Sequence, residues 1–263
     1  MNMFLHELKA YRKSTLLWTL SLAILIILFL SIFPVFSQNA EEMKKLLEGY
    51  PEGIRKALGI SIDSFTTLLG FYPFVFGYIL LCGAIQAMHL GTSLIAKEMK
   101  GTAEFLLVKP VTRHQVITAK LLAALVSIII TNIVYLLVSS LMATFISTET
   151  LTINTFLLVS LTLFYLQLIF LALGMLFSVV IPKIKSILSV TLGTVFGFFI
   201  INLLDSSVGE KSIRYVSPFE YFDITYISKN ASYEIPYVIL SLAVILVAMG
   251  TSYFVFAKKD IGA

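Results

Sequence analysis

Charged residues are scarce in this chain of 263 residues, and so is cysteine. Asp, Glu, Lys and Arg together make up 13% of the sequence, whereas soluble domains contain about 25%. The one cysteine, Cys82, falls within an apolar run. A single cysteine excludes both a disulfide framework and a cysteine metal site within the chain, and we interpret Cys82 as a small packing residue.

Sequence motifs of common catalytic centres are missing as well. No G-x-x-x-x-G-K-[ST] loop occurs, so the chain cannot bind ATP in the P-loop manner. The H-E-x-x-H zinc motif and the G-x-S-x-G serine motif are also absent. The three histidines, His6, His89 and His114, lie in different segments and make a poor metal set. We therefore expect neither an enzyme nor a bound metal or cofactor in this chain.

Apolar residues are abundant instead, at 58% of the sequence, with a mean hydropathy of +0.94. A membrane-spanning helix needs about 20 consecutive apolar residues. Six windows meet this condition: Leu16–Phe36, Leu68–Ile95, Leu121–Ile146, Phe156–Ile181, Ile187–Leu204 and Pro236–Ala257. The first is too long for a signal peptide, so we interpret it as a retained span. The sequence predicts an all-α membrane protein with six transmembrane helices in a single domain, residues 1–263.

Connecting segments alternate in their content of Lys and Arg. The side that holds both termini carries 12 of the 19 basic residues, whereas most acidic residues lie on the other side. Because cytoplasmic loops carry an excess of Lys and Arg, both termini are predicted to be cytoplasmic in a multi-pass protein of the plasma membrane. The net charge of +4 therefore reflects orientation in the bilayer, and we expect no nucleic-acid partner.

Two longer segments fall on the predicted outer side. Residues 37–64 place apolar residues at helical spacing on both sides of a break at Gly49 to Pro51, which predicts two short amphipathic helices on the outer surface. Residues 205–235 precede the last span and contain four aromatic residues that suit an interfacial belt: Phe219, Tyr221, Phe222 and Tyr226.

Residues 96–115, between the second and third windows, contain the signals of a short helix. Gly101 is placed to end the preceding helix, and Thr102 can cap a new one. Glu104 suits the positive end of that helix, and Pro110 stops it. Its apolar run, Phe105 to Val108, is too short to span the membrane and too apolar for the cytosol. It therefore needs a partner surface, which is either the inner headgroup layer or another protein.

Small and polar residues within the spans predict helix contacts. Small residues recur every four positions in the second span at Gly83, Ala87 and Gly91, and in the fifth at Ser189, Gly193 and Gly197. Such spacing is typical of close backbone packing. Four uncharged polar residues inside spans are interpreted as helix-packing partners: Gln86, Asn132, Gln167 and Asn202.

The whole chain resembles the permease subunits of the ATP-binding-cassette type-2 transporter family. The most specific part is the order, between the second and third spans, of Glu98, Gly101-Thr102, Glu104, Leu106-Leu107, Pro110-Val111, Arg113 and Lys120. The N-terminal "FLHELKAYRKS", the outer "SPFEYF" and the closing "FVFAKKDIGA" extend it.

This resemblance implies that the Gly101–Arg113 segment is a coupling helix, which inserts into a groove of a separate ABC-type ATPase subunit that binds ATP and Mg. On this basis the ATPase-binding residues are Thr102, Glu104, Phe105, Leu106, Pro110 and Arg113. Residues 1–15 resemble a connecting helix along the inner surface beside the ATPase. The resemblance also implies a second permease subunit, identical or related.

In the same family the second and fifth spans border the translocation path, which makes candidates of Phe74, Tyr78, Phe196 and Phe199. Export of hydrophobic or amphipathic cargo, such as a peptide antibiotic, a drug or a lipid-like molecule, is the expected activity. The alternative is an ion- or proton-coupled carrier or channel without an ATPase. It would require ionisable residues deep in the spans, where they are scarce.

Overall fold

The computed structural model describes residues 3–57, 60, 65, 67–96, 113–146, 153–181, 184–208 and 213–258. All regular elements within these residues are helices. They are α1 (Met3–Gln38), α2 (Ala40–Glu48), α3 (Glu52–Ala57), α4 (Leu68–Ala96), α5 (Arg113–Ile146), α6 (Ile153–Val180), α7 (Ile187–Val208), α8 (Ile224–Asn230) and α9 (Ile235–Lys258). Two 3₁₀ turns, Ile213–Tyr215 and Pro218–Glu220, precede α8.

Five of these helices are long and apolar enough to cross a membrane: α1, α4, α5, α6 and α9. They confirm the predicted first, second, third, fourth and sixth spans. The predicted fifth span lies in α7, whose described apolar part, Ile187–Leu203, is shorter than the about 20 residues of a full crossing. The described residues thus form five helices that are able to span a membrane and one shorter apolar helix.

Helix α1 is much longer than the membrane is thick. Its 36 residues extend about 54 Å, whereas the hydrocarbon core measures about 30 Å. The predicted connecting helix, residues 1–15, is not a separate element, because the chain from Met3 continues into the first span without a break. Tyr11 and Thr15 are buried in this stretch, and Thr15 donates to the Tyr11 carbonyl, so packing continues through the predicted boundary.

Helices α4 and α6 form the centre of the bundle. Within their most apolar stretches 61% of the residues are buried, against 33% for α1 and 17% for α9. The two central helices run parallel, since Gly83 packs on Gln167 near their middle and Gly91 packs on Gly174 near their ends. Helices α1 and α5 form a second parallel pair, since Glu7 meets Lys120 and Thr19 meets Thr131. The outer faces of α1 and α9 remain exposed, as expected of surfaces that meet lipid.

Glycine sets the distance between α4 and α6. A Cβ atom on Gly174 would lie 2.6 Å from the carbonyl oxygen of Met88, and one on Gly91 would collide with the carbonyl oxygen of Leu171. The predicted close packing of the second span is therefore confirmed. The same prediction for the fifth span stays a prediction, because none of the described atoms lies within 4 Å of a Cβ built on Gly193 or Gly197.

Between the first two long helices the structure has two short helices, α2 and α3, on either side of Gly49 to Pro51, where the sequence predicted two. The amide of Gly49 donates to the Leu46 carbonyl at 3.2 Å and closes the last turn of α2. Leu47 is buried in the main hydrophobic core, and α3 packs against α7. These helices are thus attached to the bundle through apolar contacts.

The aromatic residues before α9 form a packed cap. Phe219, Tyr221 and Phe222 are at most 8% exposed, so the prediction of an interfacial belt was wrong for these three. The ring of Phe219 lies 5.3 Å from that of Phe170 on α6. Hydropathy favours an apolar surrounding for such rings, and here the protein interior supplies it in place of the headgroup layer.

Candidate functional site

The residues predicted to bind an ATPase fall almost entirely outside the described residues. These positions are Thr102, Glu104, Phe105, Leu106 and Pro110. Arg113 is the first residue of α5, and its backbone is helical. The geometry of this predicted interface therefore stays a prediction.

Two of the predicted path residues, Phe74 and Tyr78, lie in an aromatic cluster between α1 and α4. Their ring centroids are 5.4 Å apart, with the rings edge to face. Phe29 of α1 stacks on Tyr78 at 5.4 Å and meets Phe74 at 6.3 Å. Four more phenylalanines extend the cluster: Phe33, Phe36, Phe65 and Phe71. Both candidates are half-buried and face the outer helix α1.

The other two candidates have different surroundings. Phe196 is 43% exposed on α7, whereas Phe199 packs edge to face against Phe219 of the cap at 5.7 Å. No ring contact among the described residues joins either of them to Phe74 or Tyr78. The structure therefore brings Phe74 and Tyr78 together, whereas Phe196 and Phe199 lie apart from this pair.

Five uncharged polar side chains form a continuous hydrogen-bonded chain across α1, α4, α5 and α6. Thr19 Oγ1 lies 3.0 Å from Thr131 Oγ1, and Gln86 Nε2 donates to the same Thr131 oxygen at 2.9 Å. Gln167 Nε2 donates to Gln86 Oε1 at 3.0 Å, and Asn132 Nδ2 donates to Gln167 Oε1 at 2.6 Å. We call these five residues the polar chain. The prediction that Gln86, Asn132 and Gln167 are helix-packing partners is confirmed.

The direction of the hydrogen bonds in the polar chain follows from its links to the backbone. The Thr131 hydroxyl donates to the Ser127 carbonyl at 3.0 Å, so its oxygen accepts from both Thr19 and Gln86. Gln86 is fully buried, and amide groups neither bind nor release protons at ordinary pH. The polar chain can therefore hold helices together, but it lacks the ionisable groups of a proton relay.

A second polar cluster joins α4, α5 and α6 at another level. The Tyr72 hydroxyl lies 2.6 Å from the Tyr135 hydroxyl and 2.8 Å from Ser160 Oγ. Both tyrosines are 1% exposed, and Phe156 packs on the Tyr72 ring at 4.8 Å. Tyr72 and Gln86 are separated along α4 by about 20 Å. Together with the glycine contacts, these bonds hold α4, α5 and α6 in close contact at two levels, so the centre of the bundle is closed.

The polar chain predicts a measurable loss of stability in Gln86→Leu. Leucine would leave Thr131 and Gln167 without their partner on α4, and we expect the free energy of unfolding to fall by about 1–3 kcal/mol. Unfolding of the detergent-purified chain by heat measures this change. Gln38→Leu, the same substitution at an exposed site, is the control. Equal stability of the two variants would contradict the role of the polar chain.

One face of α7 is open in the described part of the chain. Gly193, Phe196, Gly197 and Ile200 are exposed, and their spacing places them on the same side of the helix. The G-x-x-x-G pair lets another helix approach the backbone closely. This face can therefore accept a helix that the described residues of this chain do not supply.

An ion pair ties the cap to the start of α9. The Arg214 guanidinium donates to both carboxylate oxygens of Glu234 and lies 4.0 Å from the Tyr237 ring centroid. Burial by itself would lower the pKa of Arg214, but the hydrogen bond and the charge of Glu234 raise it. Ser217 Oγ donates to the Phe198 carbonyl at 3.1 Å and ties the cap to α7.

Tyr233 fixes the other side of the cap. Its hydroxyl donates to the Leu158 carbonyl of α6 at 2.6 Å, and its ring meets those of Tyr165 and Phe222 edge to face. Burial raises the pKa of Tyr233 to about 12, so this hydroxyl stays protonated and remains a donor at physiological pH. The cap thus has defined bonds to three helices.

Sequence reasoning missed Thr19, Thr131, Tyr72 and Tyr135 as members of the polar clusters. One signal was present on α5, where Ser127, Thr131 and the neighbouring Asn132 make a polar strip at helical spacing in an apolar window. The two tyrosines carry no such signal, because an aromatic residue near the end of a span is equally typical of the membrane interface.

Among the described residues, no three His, Cys, Asp or Glu side chains lie close enough together to hold a metal ion.

Nearly the whole chain is similar to a known protein family. A family model described as "ABC-2 family transporter protein" matches residues 1–261. Neither a curated protein nor a solved structure matched the chain.

Proposed function

The chain belongs to the ABC-2 family of transporter proteins and is a membrane-spanning permease, and we propose that it serves as the permease subunit of an ATP-driven exporter. The observation that carries this proposal is the extent of the family match, residues 1–261. The match includes the segment between α4 and α5, where the sequence has the signals of a short apolar helix.

A separate ABC-type ATPase subunit supplies the energy in this proposal. ATP and Mg bind to that partner, since the chain has no P-loop motif. The contact surface consists of Thr102, Glu104, Phe105, Leu106, Pro110 and Arg113. Helix α5 begins at Arg113 and continues for 34 residues, so a displacement at its first turn would move the whole span.

A second permease subunit, identical or related, covers the open face of α7. Two features support this arrangement. The glycine pair Gly193 and Gly197 allows close approach, and the closed centre of one subunit leaves the boundary between subunits as the place for cargo. Phe196 would lie on this boundary. The other path candidates are Phe74, Tyr78 and Phe199. They could line the path only if the second subunit brings them next to this boundary.

Hydrophobic or amphipathic cargo suits the apolar α7 face, and a peptide antibiotic, a drug or a lipid-like molecule belongs to this class. The excess of Lys and Arg on one side supports a cytoplasmic location of both termini, and the proposed location of the protein is the plasma membrane. The parallel packing of α1 and α5 supports a common side for Met3 and Arg113. The ATPase would bind on that side.

Transport by the reconstituted complex tests the proposal. The chain is co-expressed with an ABC-type ATPase from the same genome, purified, and placed in vesicles with a fluorescent peptide antibiotic. We expect the two proteins to co-elute with two copies of each by light scattering, and the peptide to cross only with ATP. A complex whose ATPase P-loop lysine is replaced should be inactive.

If the chain is instead a carrier or channel, flux in the same vesicles should depend on an ion gradient and should need no ATP. Peptide or ion flux driven by a proton or sodium gradient, in the chain purified without an ATPase, would overturn the proposal. An ATP requirement together with indifference to both gradients would support it.

A further inference from the structure

The Glu7–Lys120 ion pair joins the N-terminal part of α1 to α5 about two turns after its first residue. Lys120 Nζ lies 3.7 Å from Glu7 Oε1, and the two side chains are only 7% and 18% exposed. Lysine is rarely buried to this degree unless it is paired. Removing one partner leaves a charge in a poorly solvated place, which makes such a pair sensitive to substitution.

Helix length places this ion pair at one membrane surface. The apolar window of α1 begins at Leu16, so Met3 to Thr15 project about 20 Å beyond it. Lys120 directly precedes the apolar window of α5. Since α1 and α5 run parallel, the projecting part of α1 lies along the first turns of α5. Further into the membrane, Thr19 and Thr131 hold the same two helices together.

The helix that carries Lys120 follows directly on the segment proposed to contact the ATPase. Lys120 is seven residues, or two turns, after Arg113. A force applied to residues 101–113 therefore reaches Lys120 before it reaches the rest of the span. Through Glu7 the same force acts on α1, the helix with the more exposed outer face.

We propose that the Glu7–Lys120 ion pair is a positioning pair, which makes α1 move together with α5 when the ATPase displaces the segment before α5. This inference rests on the proposed function. The two residues bind neither ATP nor cargo. Their role is to make two helices move when one is displaced. If either residue is replaced, ATP hydrolysis should continue, but less peptide should be transported per ATP hydrolysed.

The measurement is the amount of peptide transported per ATP hydrolysed in vesicles that contain the complete complex. We expect Glu7→Gln and Lys120→Gln each to lower this ratio about 5-fold or more, while ATP hydrolysis continues. The exchanged double variant, Glu7→Lys with Lys120→Glu, should recover most of it, because it restores opposite charges at the same two positions. Lys13→Gln, which removes an exposed cation from the same part of α1, is the control and should leave the ratio unchanged.

A merely structural role would lower protein yield or thermal stability at an unchanged ratio, and this result would overturn the inference. So would a ratio that falls equally in Lys13→Gln. If the wild-type complex itself shows no ATP-driven transport, the proposed function fails and the inference with it. If the wild-type complex transports peptide and both single variants have the same amount of peptide transported per ATP, only the inference about the ion pair fails and the proposed function stands.

Discussion

Gly174→Leu is expected to prevent the chain from folding into its helix bundle. The new Cβ would lie 2.6 Å from the Met88 carbonyl oxygen and 2.8 Å from the Thr92 nitrogen, and neither backbone atom can turn away as a side chain would. Helices α4 and α6 would have to separate along the most extensive contact in the structure, and the Gln86–Gln167 bond would open with them. Overpacking alone costs about 1–3 kcal/mol, and loss of this interface adds to it.

Fluorescence-detected size-exclusion chromatography of the detergent-solubilised chain measures this effect. We expect Gly174→Leu to lose its monodisperse peak and Gly174→Ala to retain a smaller one with a lower melting temperature. Gly250→Leu on α9 is the matched control, since a Cβ at Gly250 meets no described atom within 4 Å and leucine favours the helix by up to about 1 kcal/mol. Equal peaks for the two leucine variants would contradict the packing of α4 on α6.

Phe105→Asp combined with Leu106→Asp is expected to abolish binding of the ATPase. Both residues lie in the proposed coupling segment, whose four consecutive apolar residues need a partner surface. Two buried carboxylates in an apolar groove would each remove a contact worth about 2 kcal/mol or more, which together weakens binding about 1000-fold. Co-elution of the co-expressed subunits from an affinity column measures the loss.

The control for this experiment must add the same charge to apolar residues elsewhere. The double variant Leu46→Asp with Tyr50→Asp does so, because both residues are more than half exposed. They come after the C-terminal end of α1, at the opposite end of that helix from Met3. We expect this variant to retain the ATPase. Retention by the Phe105 and Leu106 variant as well would show that this short segment lies in lipid, and it would remove the proposed interface while leaving the family membership untouched.

Local chemistry explains why five spans and part of the polar chain were predictable. A window of about 20 apolar residues has few alternatives to a membrane helix, whatever surrounds it. An amide such as Gln86 or Gln167 inside such a helix must find a hydrogen-bond partner, so its role in packing follows from its position. Which amide meets which was not predictable, because the two residues are 81 positions apart and belong to non-consecutive helices.

Spacing and composition do not define what surrounds a residue. Gly193 and Gly197 have the spacing of a packed helix face, but spacing shows only that a helix can approach, and none of the described atoms lies within 4 Å of a Cβ built on either glycine. Phe219 and Phe222 require an apolar surrounding, and composition does not distinguish lipid headgroups from a protein interior. The connecting helix was expected from the family resemblance, whereas the backbone of α1 continues from Met3 into the first span without a break.

By itself the sequence determined that this protein is a helical membrane permease, that its spans carry uncharged polar residues, and that it contains no P-loop motif. These properties depend on composition, on periodicity and on motifs that are read within a single segment. Only the tertiary structure decided that α4 and α6 meet through Gly91 and Gly174, that the centre of the subunit is closed, and that Glu7 pairs with Lys120. Such contacts join residues about 80 to 110 positions apart, and they depend on the rotation and register of each helix, which no short stretch of sequence specifies.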